Sequence, residues 1–151
     1  MTLAPEKIAD ADGIVLIIFS GDTDIRWLKM LKHGFRHCFA CVHTHGQSQE
    51  QSHGQWIFYD PLAHVTGLTV HHGMDSVDLE FWFRQHGCTV VRTSLRPIAR
   101  KKSPPAFFTC VEAIKRLLGI HTLFVITPWQ LYRHLQNNQA VFDQESLPSK
   151  T

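Results

Sequence analysis

Residues His33–Gln47 read HGFRHCFACVHTHGQ and bring four histidines and two cysteines together within fifteen positions. From His37 onward the stretch is predicted to be a β-strand. Successive side chains of a strand point to opposite faces of the sheet. The side chains on one face are His37, Phe39, Cys41, His43 and His45, and those on the other face are Cys38, Ala40, Val42 and Thr44.

Strands and helices are predicted on both sides of this stretch from apolar runs, hydrophobic periodicity and turn residues. The other predicted strands cover residues 13–19, 55–60, 64–70 and 88–95. The predicted helices cover residues 22–32, 76–86, 111–118 and 127–136. Residues 137–151 are predicted to be a flexible tail. The pattern indicates a single α+β domain over residues 1–151.

The composition favours a soluble globular protein. The chain has 151 residues, of which 44% are hydrophobic and 19% charged, and its mean hydropathy is −0.12. These values argue against disorder and against a membrane protein. The net charge of +2 is mild, and the basic residues are scattered apart from Arg100-Lys101-Lys102, so no nucleic-acid partner is expected. We expect a cytoplasmic protein without a signal peptide, and its four unevenly spaced cysteines are expected to be free thiols.

Cys110 lies in a sequence that predicts the start of a helix. Thr109-Cys110-Val111-Glu112 has the spacing of a capping box, in which the threonine and glutamate side chains each bond the other's backbone N–H. A thiol in the first helical turn lies at the positive end of the helix dipole, which lowers its pKa. Cys110 is therefore a candidate nucleophile, and such a nucleophile needs a base.

His37 and Asp60 are the candidates for the base and for the group that orients it. If strand 55–60 pairs antiparallel with the histidine strand so that Asp60 faces His37, then Phe39 faces Phe58 and Cys41 faces Trp56. This register predicts contact between imidazole and carboxylate. It also predicts that the aromatic residues form the floor on which the Cys110 helix packs. Asp60 precedes Pro61, however, and Asp-Pro also opens turns, so its carboxylate could serve local backbone groups instead.

The order His37, Asp60, Cys110 resembles the circularly permuted branch of the papain-like, NlpC-type cysteine peptidases and amidases. In that superfamily the cysteine helix ordinarily comes first. The resemblance covers about residues 34–120. The wider pattern of RHCFA, YDPL, FTCVEAIKRLLGI and TPWQLYRHL also resembles small proteins of bacterial phage or prophage gene clusters.

The resemblance implies a papain-like fold, with an antiparallel sheet packed against the cysteine helix. It implies Cys110 as nucleophile, His37 as base, Asp60 as the orienting group, and no cofactor. The implied substrate is a peptide or isopeptide bond, including those of cell-wall peptides. A phage origin implies a virion-associated protein or an assembly partner. For the oxyanion only the backbone N–H of Cys110 is identified, without a side-chain donor.

Two other classes of protein remain open. A zinc-stabilised module could use His43 and His45, which share one strand face, with Cys41 or His53 as further ligands. Cys38 and Cys41 are three residues apart, so on a strand they cannot bind one ion together. Alternatively, the chain is a non-catalytic structural or binding protein of a phage particle, which predicts that Cys110 is no more reactive than Cys88.

Overall fold

A five-stranded antiparallel sheet forms the centre of the protein. The computed structural model describes residues 13–23, 25–44, 54–62, 64–95 and 108–145. The strands are β1 (Ile14–Ser20), β2 (His37–Thr44), β3 (Gln55–Pro61), β4 (Thr66–His72) and β5 (Thr89–Ser94). They lie in the order β4-β3-β2-β1-β5, and each neighbouring pair is antiparallel. The histidine-rich stretch therefore supplies the central strand.

The described part of the chain also contains three α-helices, α1 (Ser76–Gln85), α2 (Cys110–Leu117) and α3 (Pro128–Glu145). Sheet and helices together confirm the predicted α+β class. None of the helices in these described ranges is both long and apolar enough to cross a membrane.

Helices cover both faces of the sheet. α1 packs through Leu79 and Phe83 on the face that carries Cys41 of β2. α2 and α3 pack on the opposite face, which carries Cys38. β1 is therefore buried from both sides, which explains its continuous apolar sequence. Apolar residues recur along one side of α2 and pack in this core; they are Val111 and Ile114 of the helix and Leu118 directly after it.

An aromatic cluster fixes α3 beside the start of β2. The Trp129 ring lies 4.8 Å from the Phe35 ring between centroids, and the Tyr132 ring lies 5.0 Å from it. Tyr132 also meets Phe19 edge to face, at 5.7 Å. Such aromatic contacts add to the stabilisation that comes from buried area alone. They hold the segment just before β2 against the core.

Two predicted segments were wrong. The described part of residues 22–32, which is 22–23 and 25–32, contains a 3₁₀ turn at Arg26–Met30 instead of an α-helix, with Trp27 66% exposed and Met30 91% exposed. The two buried cores are formed by α1 on one face and by α2 and α3 on the other, and these apolar side chains lie outside both. At the other end, α3 continues to Glu145, so residues 137–145 are not a tail. Residues 146–151 lie outside the described residues.

Candidate active site

His37 and Asp60 are in direct contact. The Nε2 atom of His37 lies 2.7 Å from Oδ1 of Asp60, and the side chains are 17% and 42% exposed. His37 is the first residue of β2, and Asp60 lies next to the last residue of β3. Both side chains are thus at the same end of the sheet.

The predicted register was wrong by two residues, although the contact that it predicted exists. The structure pairs Cys41 with Phe58 and His43 with Trp56, so the continued pairing puts Asp60 level with Phe39 rather than with His37. A shift of two residues keeps every side chain on its own face, because side chains alternate with a period of two. His37 and Asp60 are therefore diagonal neighbours, which lies within reach of side chains of this length.

Cys110 is the first residue of α2, one residue earlier than the predicted start of the helix, and so lies in the first turn as predicted. The side chain of Thr109 accepts a hydrogen bond from the backbone N–H of Glu112 at 3.2 Å and caps the helix. The second half of the predicted capping box is wrong, since the Glu112 carboxylate accepts from Lys115 at 2.9 Å and from Arg116 at 3.2 Å. The N–H groups of Cys110 and Val111 have no acceptor within the helix, because they belong to its first turn.

The helix of Cys110 packs on a different surface from the predicted one. Phe39, Phe58 and Trp56 belong to the face that α1 covers. Cys110 instead packs with the core that contains Cys38. The His37 imidazole still lowers the pKa of its thiol through hydrogen bonding, because both residues begin their elements at the same end of the sheet.

Cys38 acts on the candidate nucleophile Cys110 and was not among the predicted site residues. Its thiol is fully buried, and it donates a hydrogen bond to the Cys110 sulfur. This bond is the largest cause that lowers the pKa of Cys110, to about 5. The His37 imidazole and the Cys38 backbone N–H lower this pKa further, whereas burial opposes the shift. The same bond, with burial, raises the pKa of Cys38 well above its usual value, so Cys38 remains the donor.

The contacts of His37 assign a role to each ring nitrogen. Burial is the largest influence on the pKa of His37 and lowers it, but hydrogen bonds to Cys110 and Asp60 together outweigh burial and raise the pKa above 6.5. Since Asp60 accepts from Nε2–H, Nδ1 is the nitrogen left for the thiol. A thiolate and an imidazolium therefore coexist from about pH 5, set by Cys110, to a limit above pH 6.5, set by His37.

Replacing Cys38 tests this assignment. In Cys38→Ala the sulfur of Cys110 loses its strongest donor, so we expect the pKa of Cys110 to rise by about 1–2 units. Cys38→Ser keeps a donor and should retain most of the lowering. The pKa is read from the pH dependence of the ultraviolet absorbance of the thiolate. Cys41→Ala is the matched control, because Cys41 is equally buried in the same strand but faces α1. Equal pKa values for Cys110 in Cys38→Ala and the wild type would contradict the assignment.

The zinc ligands considered from the sequence are only partly described. Cys41 is buried, and burial raises the pKa of its thiol to about 12. His43 packs against Trp56, with 4.8 Å between ring centroids. His45 and His53 lie outside the described residues. Within the described ranges, no group of three or more histidine, cysteine, aspartate or glutamate side chains is placed to hold a metal ion. The zinc site stays a prediction.

A cavity of about 620 Å³ lies at the other end of α2, where Leu118 and His121 line it with residues of β5 and α3. Eight helical residues separate the two ends by about 12 Å. The cavity is therefore distinct from the site of Cys110.

Comparison with protein-family models, with curated proteins and with solved structures found no match to this chain. Its function is therefore inferred from the geometry of the site.

Proposed function

We propose that this protein is a cysteine-dependent hydrolase that cleaves a peptide or isopeptide bond. The observation that carries the proposal is the 2.7 Å contact between His37 and Asp60, with the His37 ring also bonded to a cysteine at the start of a helix. Nucleophile, base and orienting group are thus linked in one chain of hydrogen bonds. This is the arrangement that activates a cysteine for acyl transfer.

The proposed reaction begins when the Cys110 thiolate attacks the carbonyl carbon of the scissile bond. The carbonyl oxygen becomes an oxyanion, and the N–H groups at the start of α2 donate to it. His37 then protonates the leaving amine, the C–N bond breaks, and a thioester forms on Cys110. Water, deprotonated by His37, releases the acid. Asp60 holds the imidazole in the tautomer that keeps Nδ1 free for these transfers.

The substrate and the evolutionary relationship are part of the same proposal. The order His37, Asp60, Cys110 and the packing of α2 on an antiparallel sheet support a circularly permuted papain-like fold. Cell-wall peptides are the proposed substrates within that family. The proposal also includes a location in the cytoplasm or in a phage particle. It includes no nucleic-acid or membrane partner.

The first test measures iodoacetamide labelling of each cysteine against pH by peptide mass spectrometry. At about pH 6, a thiol with a pKa of about 5 has roughly 300 times the thiolate fraction of an ordinary thiol, and its lower nucleophilicity offsets about 30- to 50-fold of this. We therefore expect Cys110 to label about tenfold faster than an ordinary thiol, with a midpoint near pH 5. His37→Ala should move the midpoint upward, because the imidazolium is lost.

Cys88 is the internal control for this experiment. It is partly exposed, and burial, with a smaller effect of the Asp22 charge, raises its pKa, so it should label only at alkaline pH. If Cys110 and Cys88 labelled with the same pH dependence, the hydrolase proposal would fail. A non-catalytic structural protein of a phage particle would then be the better account.

A further inference from the structure

A pair of contacting thiols in different environments lies at the site. Cys38 is fully buried in the central strand, whereas Cys110 is partly exposed at the start of a helix. Cys110 packs against the core cluster that contains Cys38, and the Cys38 side chain, as a hydrogen-bond donor, is the largest influence on the pKa of Cys110. The hydrolytic mechanism uses Cys38 only as a donor, so the reactivity of its sulfur is not accounted for.

We propose that Cys110 and Cys38 form a reversible redox pair, in which a hydroperoxide oxidises Cys110 and Cys38 then closes a disulfide bond with it. The inference goes beyond hydrolysis. It requires the ionised Cys110 of the proposed site but no substrate and no turnover.

The two steps balance as follows. The Cys110 thiolate attacks the terminal oxygen of the hydroperoxide, the O–O bond breaks, and the sulfenic acid Cys110–SOH forms with an alkoxide or hydroxide, which takes a proton from water. The Cys38 sulfur then attacks the Cys110 sulfur. The S–O bond breaks, the Cys38 proton leaves with the hydroxyl as water, and the disulfide forms. The hydroperoxide is reduced by two electrons, which the two thiols supply.

Burial fixes the order of these steps. Solvent can reach Cys110 but not Cys38, so the oxidant meets the helix cysteine first. Before oxidation, the negative sulfur of Cys110 keeps the proton on Cys38. The sulfenic acid of Cys110 is neutral. It therefore no longer holds the proton on Cys38 when the Cys38 sulfur has to react. The groups that face Cys110 throughout are His37 and Cys38 of β2, with Asp60 of β3 behind His37.

The other two cysteines are not placed to compete. Cys41 and Cys88 pack with the core on the α1 face of the sheet. Closing the bond brings the sulfurs of Cys38 and Cys110 from hydrogen-bonding contact to about 2.05 Å. The adjustment falls on the first residue of α2, which follows the exposed Phe108 and Thr109. The disulfide would remove the nucleophile from His37 and so switch hydrolysis off until a dithiol reduces it.

Hydrogen peroxide is the probe for the test. The reduced wild-type protein is treated near pH 7, the remaining thiols are blocked, and the protein is digested without reductant for mass spectrometry. We expect a peptide that links Cys38 to Cys110, and we expect dithiothreitol to restore rapid labelling of Cys110. In Cys38→Ala, Cys110 should instead accumulate as sulfinic acid, which dithiothreitol cannot reverse, at least about fivefold more than in the wild type.

Cys41→Ala is the control variant, and it should form the linked peptide as the wild type does. Direct passage of wild-type Cys110 to sulfinic acid, or a Cys110–Cys110 link between two chains, would overturn the redox pair, and the wild-type measurement decides this without any variant. The hydrolase proposal fails separately, if Cys110 ionises only at alkaline pH. Low-pH labelling without the Cys38–Cys110 link would therefore remove only the redox pair.

Discussion

Cys110→Ser is expected to lower the rate of acylation by p-nitrophenyl acetate about 10³-fold or more. p-Nitrophenyl acetate is an activated ester, so the rate can be measured without knowing the natural substrate. A serine hydroxyl is not ionised near neutral pH, whereas the Cys110 thiol, with a pKa of about 5, is a thiolate. The change also removes the sulfur to which Cys38 and His37 are bonded. The measurement is the release of nitrophenolate, with the acetylated residue located by peptide mass spectrometry.

Cys88→Ser is the matched control, because Cys88 is also partly exposed but packs on the opposite face of the sheet. The Cys88→Ser protein should be acylated by p-nitrophenyl acetate at the wild-type rate. Acetyl groups distributed equally over Cys88 and Cys110 in the wild type, or a Cys110→Ser protein that reacts as fast as the wild type, would be inconsistent with a dedicated nucleophile.

Trp56→Ala is expected to lower the free energy of unfolding by about 3–5 kcal/mol. Trp56 is fully buried on the α1 face, and its indole Nε1–H donates to the Met74 carbonyl at 2.9 Å. The substitution leaves a cavity and an unpaired carbonyl. Since a domain of this size is stable by about 5–15 kcal/mol, the loss is a large share of the total. Thermal unfolding should show a fall in melting temperature of about 10 °C.

Trp27→Ala provides the comparison within the same chain. Trp27 is 66% exposed on the 3₁₀ turn, so its removal should change stability by less than about 0.5 kcal/mol. Similar losses for the two tryptophans would mean that the burial described for Trp56 does not hold in solution.

The strands could be predicted because their residues alternate or run continuously apolar between clear turn residues. α2 could also be predicted, because Thr109-Cys110-Val111-Glu112 has the capping-box spacing that marks the start of a helix. The predicted helix over residues 22–32 was wrong because an apolar pattern alone does not show which segments join the core, and here the two cores are built with α1, α2 and α3 instead. The length of α3 was missed because its later residues carry weak apolar periodicity, and helix ends depend on tertiary packing.

Cys110 could be predicted from the sequence because it follows a helix-capping residue. His37 and Asp60 could be predicted because a two-residue shift in register leaves both side chains on the same face of the sheet. Cys38 could not. Strand alternation places it on the opposite face from its neighbour His37, and that remains true in the structure. The two meet the same sulfur only because all three residues lie at one end of the sheet, which is a property of helix docking that single-strand patterns do not contain.

The site is assembled from residues that are far apart in the chain, since His37 and Asp60 are 23 residues apart and Cys110 follows still later. Unfolding therefore returns Cys110 to an ordinary thiol, which reacts slowly in mild acid, while it exposes the fully buried Cys38 and Cys41 to solvent. One cysteine thus loses reactivity on unfolding and two gain it. The ratio of labelling at Cys110 to labelling at Cys38 and Cys41 therefore reports the fraction of the protein that is folded. This ratio can be measured in a lysate as well as in a purified sample.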